Sequence, residues 1–372
     1  MAPIRVGFIG LSKTGWGPGA HLPYLQASDN YQIVAICNSS IESSKAAIEL
    51  YGLPSTTKAY GAPEEIAKDK DIDLVVCSVR VDRHLPLITP SLKAGKDVFV
   101  EWPLGKNLSE AQELLKLKID HGVKNAVVGL QARQAPIVHK VKDLINEGRI
   151  GDVLSSTWAG QAGNVGPTLP RQYDYMADRE VGGNIVTIHF GHSVDYVQFV
   201  LGYGFESGPK TLLANRRKTV QIVDAEGTAI ETKNKTSDDT IFLNGTLTSG
   251  IPISMTLRGG KPFKDIPGLD WRIYGSTGEI RITASGPFLQ IGYPDMKIQV
   301  HDFEKDTVEE VEVEKDKFDS EDGGKGIFGL PARNVGRLYK SLAEGKVNCS
   351  FEDAVERHAL IDGMYRENGI DA

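Results

Sequence analysis

The chain has 372 residues, a length that predicts two domains because a single hydrophobic core seldom serves more than about 250 to 300 residues. Its net charge of −7 and its pI near 5.7 argue against nucleic acid or an anionic membrane surface as a partner, since both present phosphate. No apolar run approaches the roughly 20 residues that a membrane-spanning helix needs. We therefore expect a globular protein with neither a nucleic-acid nor a membrane partner.

Cysteine usage indicates a reducing compartment. Cys37, Cys77 and Cys349 are odd in number and far apart, and no pair has the CxxC spacing of a zinc site. Residues 1–5 lead directly into a strand-like run, so we expect no signal peptide. The chain is accordingly expected in the cytoplasm, without a metal site.

The first 130 residues alternate between short apolar runs and segments with helical spacing. This alternation predicts βαβ units, a parallel sheet and right-handed crossovers, as in a doubly wound Rossmann fold. The predicted strands are Ile4–Ile9, Gln32–Ile36, Asp73–Cys77, Asp97–Val100 and Ala126–Gly129. The predicted helices are His21–Ala27, Ile41–Tyr51, His84–Ala94 and Ser109–His121, with Ser109 and Gln112 as a capping box for the last.

After about residue 150 the pattern changes to longer alternating runs separated by turn residues, which is typical of a mostly antiparallel sheet. The predicted strands are Val153–Ala159, Thr211–Asn215, Thr240–Leu257, Trp271–Ala284 and Leu289–Asp302. Glu304–Lys317 is expected to be an edge strand or exposed loop, and Asp319–Lys325 the most mobile segment. Helical spacing returns in Ala332–Ala343 and Phe351–Tyr365.

The glycine-rich turn after the first strand follows the dinucleotide-binding pattern. Gly10 and Gly15 take the positions of the tight turn and of close helix packing, whereas Ser12 stands where a second glycine is usual. A glycine-rich turn without a ligand is the alternative, but the location between the first strand and a helix favours a nucleotide site. The residues predicted to bind the cofactor here are Gly10, Ser12, Lys13, Thr14, Gly15 and Trp16.

The second strand ends at a polar segment that bears on the choice of cofactor. NAD-binding proteins usually carry an acidic residue here for the ribose 2′-hydroxyl, but this chain has Asn38. Ser39, Ser40 and Lys45 are donors that suit a 2′-phosphate, so the sequence favours NADP, with NAD as the alternative. The same serines also suit a helix cap, a role compatible with phosphate binding.

Several motifs beyond the glycine turn resemble the Gfo/Idh/MocA oxidoreductases, and the resemblance extends over essentially the whole chain. Within that family the chain is most similar to the branch of fungal galactose-regulon co-repressors. The motifs that carry the resemblance are His21-Leu22-Pro23, Gly15-Trp16, Val100-Glu101-Trp102-Pro103, Gly129-Leu130-Gln131-Ala132-Arg133, Gly182-Gly183-Asn184, Thr187–His192 with Asp195, and Arg258-Gly259-Gly260-Lys261-Pro262.

The resemblance implies a Rossmann domain over residues 1–130 and an α+β domain over residues 131–372 with a large open-faced sheet that forms dimers or higher homo-oligomers. It also implies that the final helix packs back on the first domain. The expected substrates are sugars, inositols, other polyols or related small alcohols and carbonyl compounds. Further cofactor contacts are expected from Ser78, Val79, Arg80, His84, Glu101, Trp102 and Gln131.

The sequence departs from the family at the residues that usually perform the chemistry. The family's Glu-Lys-Pro motif is Glu101-Trp102-Pro103 here, and an indole has one donor and no charge. Ile188 occupies the position of the family's aspartate, whereas the histidine of the same motif is retained as His192. Two of the three polar groups that surround the reacting carbon in the family are therefore missing.

His192 is the predicted acid/base, because imidazole titrates near neutral pH and hydride transfer from an alcohol also releases a proton. His189 lies three residues earlier and shares a face with it if the segment is helical. Asp195 is expected to orient the His192 ring, and Tyr175 to lie in a loop over the substrate. The alternative is that these side chains are buried packing residues.

Two functions follow from these patterns. The first is an NAD(P)-dependent oxidoreductase with His192 as its proton shuttle. The second is a non-catalytic NAD(P)-binding regulator that signals cofactor occupancy to a protein partner. The compact length favours the enzyme, and the missing lysine favours the regulator.

Overall fold

A computed structural model describes residues 2–319 and 329–370. The chain divides into two compact units, one made of Met1–Gln131 and Asp316–His358 and the other of Ala132–Lys315 and Ala359–Ala372. We call them the first and the second unit. Of the segment expected to be most mobile, only Asp319 lies within the described residues.

The first unit contains a six-stranded parallel sheet with the order β3-β2-β1-β4-β5-β6, which confirms the Rossmann fold. Its inner strands are almost wholly buried because helices cover both faces. The strands are β1 (Ile4–Ile9), β2 (Tyr31–Cys37), β3 (Lys58–Tyr60), β4 (Leu74–Cys77), β5 (Asp97–Val100) and β6 (Ala126–Val128). The helices between them are α1 (Gly17–Ala20), α2 (Leu22–Ala27), α3 (Ile41–Leu50), α4 (Pro63–Lys68), α5 (His84–Lys93) and α6 (Leu108–Asp120).

The capping residue of α6 differs from the expectation. Asn107, not Ser109, is the N-cap, and its side chain accepts a hydrogen bond from the backbone N–H of Glu110 at 3.1 Å. Asparagine is as good a cap as serine, so the helix begins one residue before the predicted start. Strand β3 and helix α4 are short, and the periodicity of the sequence does not reveal them.

Helix α9 (Leu330–Ala343) belongs to the first unit and packs on α1 and α2. Tyr339, which is fully buried, stacks on Tyr24 at 5.9 Å between ring centroids and also contacts Tyr31 and Phe99. This aromatic cluster is the core between α9 and the sheet. The last helix, α10, spans Phe351–Glu367.

The second unit contains an eight-stranded sheet with the order β17-β16-β15-β14-β7-β13-β12-β9, in which β7 and β13 are the parallel pair. Its mostly antiparallel character confirms the expected fold class. Trp158 and Trp271 pair across β7 and β14 and lie fully buried on the covered face. The strands are β7 (Val153–Ala162), β9 (Lys210–Ala214), β12 (Thr240–Thr246), β13 (Pro252–Gly259), β14 (Leu269–Gly275), β15 (Gly278–Ala284), β16 (Lys297–Asp302) and β17 (Thr307–Val311).

The first part of the predicted strand Leu289–Asp302 is not a strand. Gly292 has a φ of +92° and Pro294 lacks a backbone N–H, so the chain turns here and the strand begins only at Lys297. A separate three-stranded sheet and two helices complete the unit. They are β8 (Thr168–Pro170), β10 (Thr219–Val223), β11 (Ala229–Asn234), α7 (Pro136–Asn146) and α8 (Gly191–Leu201).

The three cysteines are free thiols and all are buried. Burial raises the pKa of the Cys37 thiol to about 11, so this group is protonated at neutral pH. None of the helices in the described part of the chain combines the length and apolarity that crossing a bilayer requires.

Candidate functional site

The glycine turn after β1 requires its glycines. Gly10 has a φ of +92°, and a Cβ at this position would lie 2.3 Å from Val79 Cγ1 and 2.5 Å from the Ser78 carbonyl oxygen. A Cβ on Gly15 would lie 2.8 Å from Ser12 Oγ. Any side chain would therefore close the approach between the β1 turn and the end of β4. Ser12, Lys13, Thr14 and Gly15 are exposed, as a loop that receives a ligand should be.

Asn38, at the end of β2, uses both amide hydrogens within the protein. Its Nδ2 donates to the carbonyl oxygens of Leu11 at 3.1 Å and Ser43 at 3.2 Å. Its Oδ1 is buried and accepts no hydrogen bond from any described residue. The side chain therefore offers a ligand an acceptor and no donor, which suits a hydroxyl group better than a phosphate.

The three other residues expected at a 2′-phosphate have different environments. Ser40 is the N-cap of α3 and exchanges reciprocal hydrogen bonds with Ser43, so its hydroxyl already serves the helix. Ser39 and Lys45 are exposed. Backbone and Ser40 hydrogen bonds hold the pKa of the Glu42 carboxyl below its usual value, which leaves a carboxylate in the first turn of α3.

At the end of β4, His84 connects two backbone segments. Its Nδ1 lies 2.9 Å from the Pro103 carbonyl oxygen, and its Nε2 lies 3.1 Å from that of Val79. Burial lowers the pKa of His84, so the neutral ring donates to one of the two carbonyls. Ser78 is buried, and the exposed Arg80 binds Asp82 through two hydrogen bonds of 2.7 Å. His84 thus holds the loop after β4 against the loop after β5.

Glu101, at the end of β5, is held by a buried histidine. His21 Nε2 lies 2.7 Å from Glu101 Oε1, and His21 Nδ1 lies 2.8 Å from the Tyr339 hydroxyl. Gly129 flanks the other carboxylate oxygen, because a Cβ there would lie 2.8 Å from Glu101 Oε2. The first unit therefore presents one oriented carboxylate where β5 ends.

Trp102 is a buried residue that packs against the ring of His358, with 4.8 Å between centroids. Burial lowers the pKa of His358 to about 3, so this contact involves no positive charge at neutral pH. Gln131 is 1 % exposed, and its Oε1 has no hydrogen-bond partner among the described residues. Trp102 thus replaces the lysine of the family motif with an uncharged, packed side chain.

Buried polar atoms without partners mark the carboxyl edge of the Rossmann sheet. Within the described residues they include Trp16 Nε1, Asn38 Oδ1 and Gln131 Oε1, which follow β1, β2 and β6. Four strand spacings separate β2 from β6, about 19 Å. Buried polar atoms are normally hydrogen-bonded, so an extended polar ligand across the sheet edge would satisfy atoms that the protein does not. The arrangement fits a dinucleotide on the switch point between β1 and β4.

In the second unit, Asn184 starts the segment that carries both candidate histidines. Its Oδ1 accepts from the backbone N–H of Val186 at 2.8 Å, and Thr187 completes a reciprocal cap. One turn of π-helix, Ile185–Phe190, then leads into α8. His189 and His192 are three residues apart in this continuous helical segment, so they lie on the same side of it. A π-helical turn is frequent at functional sites.

Both histidines are neutral and incompletely hydrogen-bonded. His189 is 8 % and His192 is 5 % exposed, and the Nδ1 atom of each is buried with no partner among the described residues. Burial lowers the pKa of His189 to about 4 and that of His192 to about 3. The negative charge of Asp195 raises the pKa of His192 and so opposes the effect of burial, whereas His189 lowers the pKa of His192 further. A neutral imidazole at pH 7 can accept a proton from a hydroxyl group.

Asp195 is bound to Arg133 and not to the His192 ring. Arg133 donates to the two carboxylate oxygens at 2.9 and 2.7 Å, and both side chains are buried. The guanidinium also lies over the ring of Tyr203, 5.2 Å from its centroid. Asp195 thus acts on His192 through its charge. Tyr175 is half-buried in the 3₁₀ segment Arg171–Ala177.

Sequence patterns did not identify three residues of these sites. His21 was noticed as part of a motif, but nothing in the sequence placed it beside Glu101. Tyr339 is one aromatic residue in an amphipathic helix, and Arg133 belongs to a motif that does not reveal its partner. The partners of Glu101 and Asp195 lie 80 and 62 positions away in the chain, so only the tertiary structure pairs them. The described residues contain no cluster of three or more His, Cys, Asp or Glu that could hold a metal ion.

Comparison with known families agrees with this division. Residues 4–129 match the GFO_IDH_MocA family, described as an oxidoreductase family with an NAD-binding Rossmann fold. Residues 136–284 match the family described as the Gal80p C-terminal domain. Together the two matches include β1 to β6 of the first unit and the central strands of the second.

Two curated relatives are similar along most of the chain. The galactose/lactose metabolism regulatory protein GAL80 of Saccharomyces cerevisiae is 29 % identical over 99 % of this chain and 93 % of its own length. Dehydrogenase aclE of Aspergillus oryzae is 32 % identical over 84 % of this chain and 85 % of its own. One relative is therefore a regulator by name and the other an enzyme.

A solved structure extends the likeness to the whole fold. The crystal structure of a super-repressor mutant of Gal80p from Saccharomyces cerevisiae superimposes with a TM-score of 0.87 at 27 % identity, over 99 % of this chain and 96 % of that one. Because the Rossmann sequence, the second-domain sequence and the fold agree, this chain belongs to the Gfo/Idh/MocA family of oxidoreductases with an NAD-binding Rossmann fold and carries a Gal80p-like C-terminal domain.

Proposed function

We propose that this protein is a nicotinamide-dinucleotide-dependent oxidoreductase that acts on a small polyhydroxylated alcohol or the corresponding carbonyl compound. The observation that carries the proposal is the pair of neutral, buried histidines whose Nδ1 atoms lack partners among the described residues. An unsatisfied buried polar atom costs about 1 to 3 kcal/mol. Two such atoms on one helical segment are expected where a ligand completes the hydrogen bonding.

The cofactor would be held by the turn at Gly10, by Asn38 and by Glu101, each at the carboxyl end of a different strand. When bound, it supplies the hydride acceptor or donor. The protein positions the dinucleotide through backbone groups that the glycines leave open, and the uncharged Trp102 keeps water away from the edge of β5. These roles require no conformational change within the first unit.

His192 accepts the hydroxyl proton of the substrate during oxidation and returns it during reduction. Its depressed pKa keeps it neutral before the reaction, and the nearby charge of Asp195 favours the imidazolium once the proton arrives. His189 stays neutral beside it, with its ring 4.6 Å from that of Phe288. Asn184, whose Nδ2 is buried and unbonded among the described residues, is a donor for a substrate hydroxyl.

For the cofactor we favour NAD, whereas the sequence favoured NADP. Asn38 Oδ1 is an acceptor that a ribose 2′-hydroxyl satisfies, and both hydrogens of the same amide are already used. Ser40 caps α3, and the Glu42 carboxylate in the first turn repels a phosphate. These contacts together favour a hydroxyl over a phosphate at the end of β2.

We further propose a homodimer formed through the open face of the eight-stranded sheet. Leu212 and Phe242 are cross-strand neighbours on β9 and β12 and are 55 % and 40 % exposed. Tyr274 on β14 is 45 % exposed. Large exposed apolar side chains on a sheet are typical of an interface. Phe242→Glu is expected to convert the dimer to a monomer in light-scattering measurements, and an unchanged mass would reject this surface.

The experiment that tests the function is a fluorescence titration with NADH and NADPH, followed by turnover assays with the tighter binder. The assays should cover sugars, polyols and their carbonyl derivatives. We expect tight binding of NADH and turnover of at least one compound. Absence of binding to either dinucleotide would reject the cofactor site, and binding without turnover would reject the enzyme.

The second candidate is a non-catalytic regulator, and the specific observation that favours it is Trp102. The family lysine that contacts substrate and nicotinamide is absent, and the tryptophan in its place is buried against His358. Resemblance to the regulatory protein GAL80 over nearly the whole chain supports the same function. Tight dinucleotide binding with no turnover across the panel, together with a protein partner whose affinity depends on the dinucleotide, would establish it.

A further inference from the structure

Among the described residues of the first unit, no lysine or arginine forms an ion pair with the Glu101 carboxylate. Its one ion-pair contact among the described residues is His21, at 2.7 Å. The two other histidines near this strand end have pKa values that burial lowers, for His358 to about 3, so neither carries a charge at neutral pH. Trp102 occupies the position where the family has a lysine. The hydrogen bond from His21 is therefore the contact that positions this carboxylate.

The hydrogen bonds around His21 assign the donor and acceptor roles of its two ring nitrogens. Desolvation raises the pKa of the Tyr339 phenol well above its usual value, so the hydroxyl keeps its proton. Among the described residues this hydroxyl has one side-chain partner, His21 Nδ1 at 2.8 Å, and therefore donates to it. With Nδ1 an acceptor, Nε2 carries the hydrogen of the ring and donates to Glu101 Oε1. The Glu101 carboxylate thus accepts a hydrogen bond from a ring nitrogen whose role the Tyr339 hydroxyl fixes.

The Glu101 carboxylate lies at the carboxyl edge of the sheet. In a doubly wound sheet one half-site uses β1 to β3 and the other uses β4 to β6, and the ligand lies at the carboxyl ends of the strands. Glu101 follows β5, and Gly129, which follows β6, approaches its carboxylate so closely that a Cβ there would lie 2.8 Å from Oε2. The glycine turn and Asn38 belong to the other half-site, so the nicotinamide half is the one that Glu101 faces.

We infer that Glu101, positioned by His21 and Tyr339, makes this site select the oxidised, positively charged nicotinamide over the reduced, neutral form. The two forms differ by one positive charge on the ring, and an uncompensated carboxylate stabilises the charged form. Glu101 is the binding residue, and His21 and Tyr339 are positioning residues. The inference rests on the proposed binding of a dinucleotide but does not require turnover, so it holds for an enzyme and for a regulator.

The test compares dissociation constants for NAD⁺ and NADH, measured by calorimetry on the full chain. We expect Glu101→Gln to weaken NAD⁺ about tenfold while NADH changes less than about twofold. Tyr339→Phe removes the donor to Nδ1, so the His21 ring is no longer fixed as a donor to Glu101 through Nε2. Tyr339→Phe should lower the preference for NAD⁺ over NADH about threefold. Equal weakening of both forms by Glu101→Gln would overturn the inference.

Tyr31→Phe is the matched control, because it removes another buried tyrosine hydroxyl from the same aromatic cluster. That hydroxyl donates to the Tyr339 carbonyl oxygen at 2.7 Å and does not reach His21. The NAD⁺ to NADH ratio should stay at the wild-type value in this variant. If this ratio changes as much in Tyr31→Phe as in Tyr339→Phe, the positioning role of Tyr339 is overturned, since loss of packing would then explain the effect of both substitutions. If the wild-type chain binds neither dinucleotide, both this inference and the proposed cofactor site are overturned. If Glu101→Gln weakens NAD⁺ and NADH equally, only this inference is overturned and the cofactor site stands.

Discussion

Buried polar atoms without partners among the described residues occur in two regions, the carboxyl edge of the Rossmann sheet and the Asn184–His192 segment. The spacing of these atoms differs between the two regions. Along the sheet edge these atoms follow three different strands and extend over about 19 Å. In the Asn184–His192 segment they are Asn184 Nδ2, His189 Nδ1 and His192 Nδ1, all within nine consecutive residues. The first arrangement requires an extended ligand and the second a compact one. The difference supports a long cofactor and a small substrate.

The two regions also differ in charge. The sheet edge has the acidic side chain of Glu101 and exposes its glycine loop, whereas burial makes His189 and His192 neutral. In the proposed function, dinucleotide binding uses the groups at the sheet edge, and proton transfer uses the desolvated histidines of the second unit. Variants that alter one region and spare the other will separate binding from chemistry.

The largest effect on stability is expected from Arg133→Met. The substitution leaves the fully buried Asp195 carboxylate without its bidentate partner, which costs about 3 to 5 kcal/mol. Chemical unfolding measures the loss, and Arg133→Met/Asp195→Leu should recover most of it. Arg171→Met is the control, because its pair with Glu231 is exposed and should contribute less than about 1 kcal/mol. Equal losses for the two single variants would show that burial does not matter here.

His192→Ala separates chemistry from binding. Turnover is expected to fall about a hundredfold or more, because the proton acceptor is lost, while the dissociation constant for the dinucleotide stays unchanged. Steady-state kinetics and calorimetry measure the two quantities. His301→Ala, on β16 and partly exposed, is the control. Wild-type turnover in His192→Ala would exclude this residue from the mechanism.

Acid should destabilise the second unit through its histidines. In the unfolded chain each binds a proton below pH about 6.5, whereas the folded pKa values are about 4 for His189 and about 3 for His192. Stability is therefore complete above pH 6.5 and falls as the pH drops, by about 1.4 kcal/mol per unit and per histidine. Between pH 6.5 and 5.5, His192→Gln should lose about 1 kcal/mol less than the wild-type chain, as measured by urea unfolding, because the unfolded histidine is already half protonated at pH 6.5. His301→Gln should behave as wild type, and identical slopes for all three proteins would contradict the burial of His192.

Gly10→Ala tests the nucleotide turn. A Cβ at a φ of +92° and 2.3 Å from Val79 Cγ1 strains the turn, at a cost of about 1 to 3 kcal/mol. Dinucleotide binding should weaken about tenfold in a fluorescence titration, and His192-dependent proton transfer should not change once cofactor is saturating. The control is Gly19→Ala, since a Cβ there meets no atom within 4 Å. Unchanged binding in Gly10→Ala would place the cofactor elsewhere.

The smallest effect is expected from the serine and lysine that suggested NADP. Ser39→Ala and Lys45→Ala should change the affinity for NAD by less than about twofold, because both side chains are exposed. Wild-type protein should already prefer NAD to NADP. Two results together would restore NADP as the cofactor. The wild-type protein would have to bind NADP more tightly than NAD, and either variant would have to lose NADP affinity tenfold or more.

Much of the fold was predictable because periodicity and glycine chemistry are local. Strands β1 and β5 were predicted residue for residue, and the switch to an antiparallel sheet was visible in the alternating runs after residue 150. Strand β3, of three residues, and helix α4, of six residues, were not predicted, because neither segment has a clear periodic pattern of its own. The cap of α6 was predicted two residues late, because serine and asparagine are both good caps and only the backbone conformation distinguishes them.

The site was predictable in its residue types and not in its pairings. The sequence by itself determined the nucleotide turn, the absence of the family lysine at Trp102 and the presence of His192, because each depends on residues next to one another in the chain. Only the tertiary structure decided that His21 and Tyr339 hold Glu101, that Arg133 binds Asp195, and that Asn38 offers an acceptor and no donor. Hydrogen bonds between distant positions depend on how elements pack, and burial, which makes His192 neutral, is a property of the folded surroundings and not of the residue.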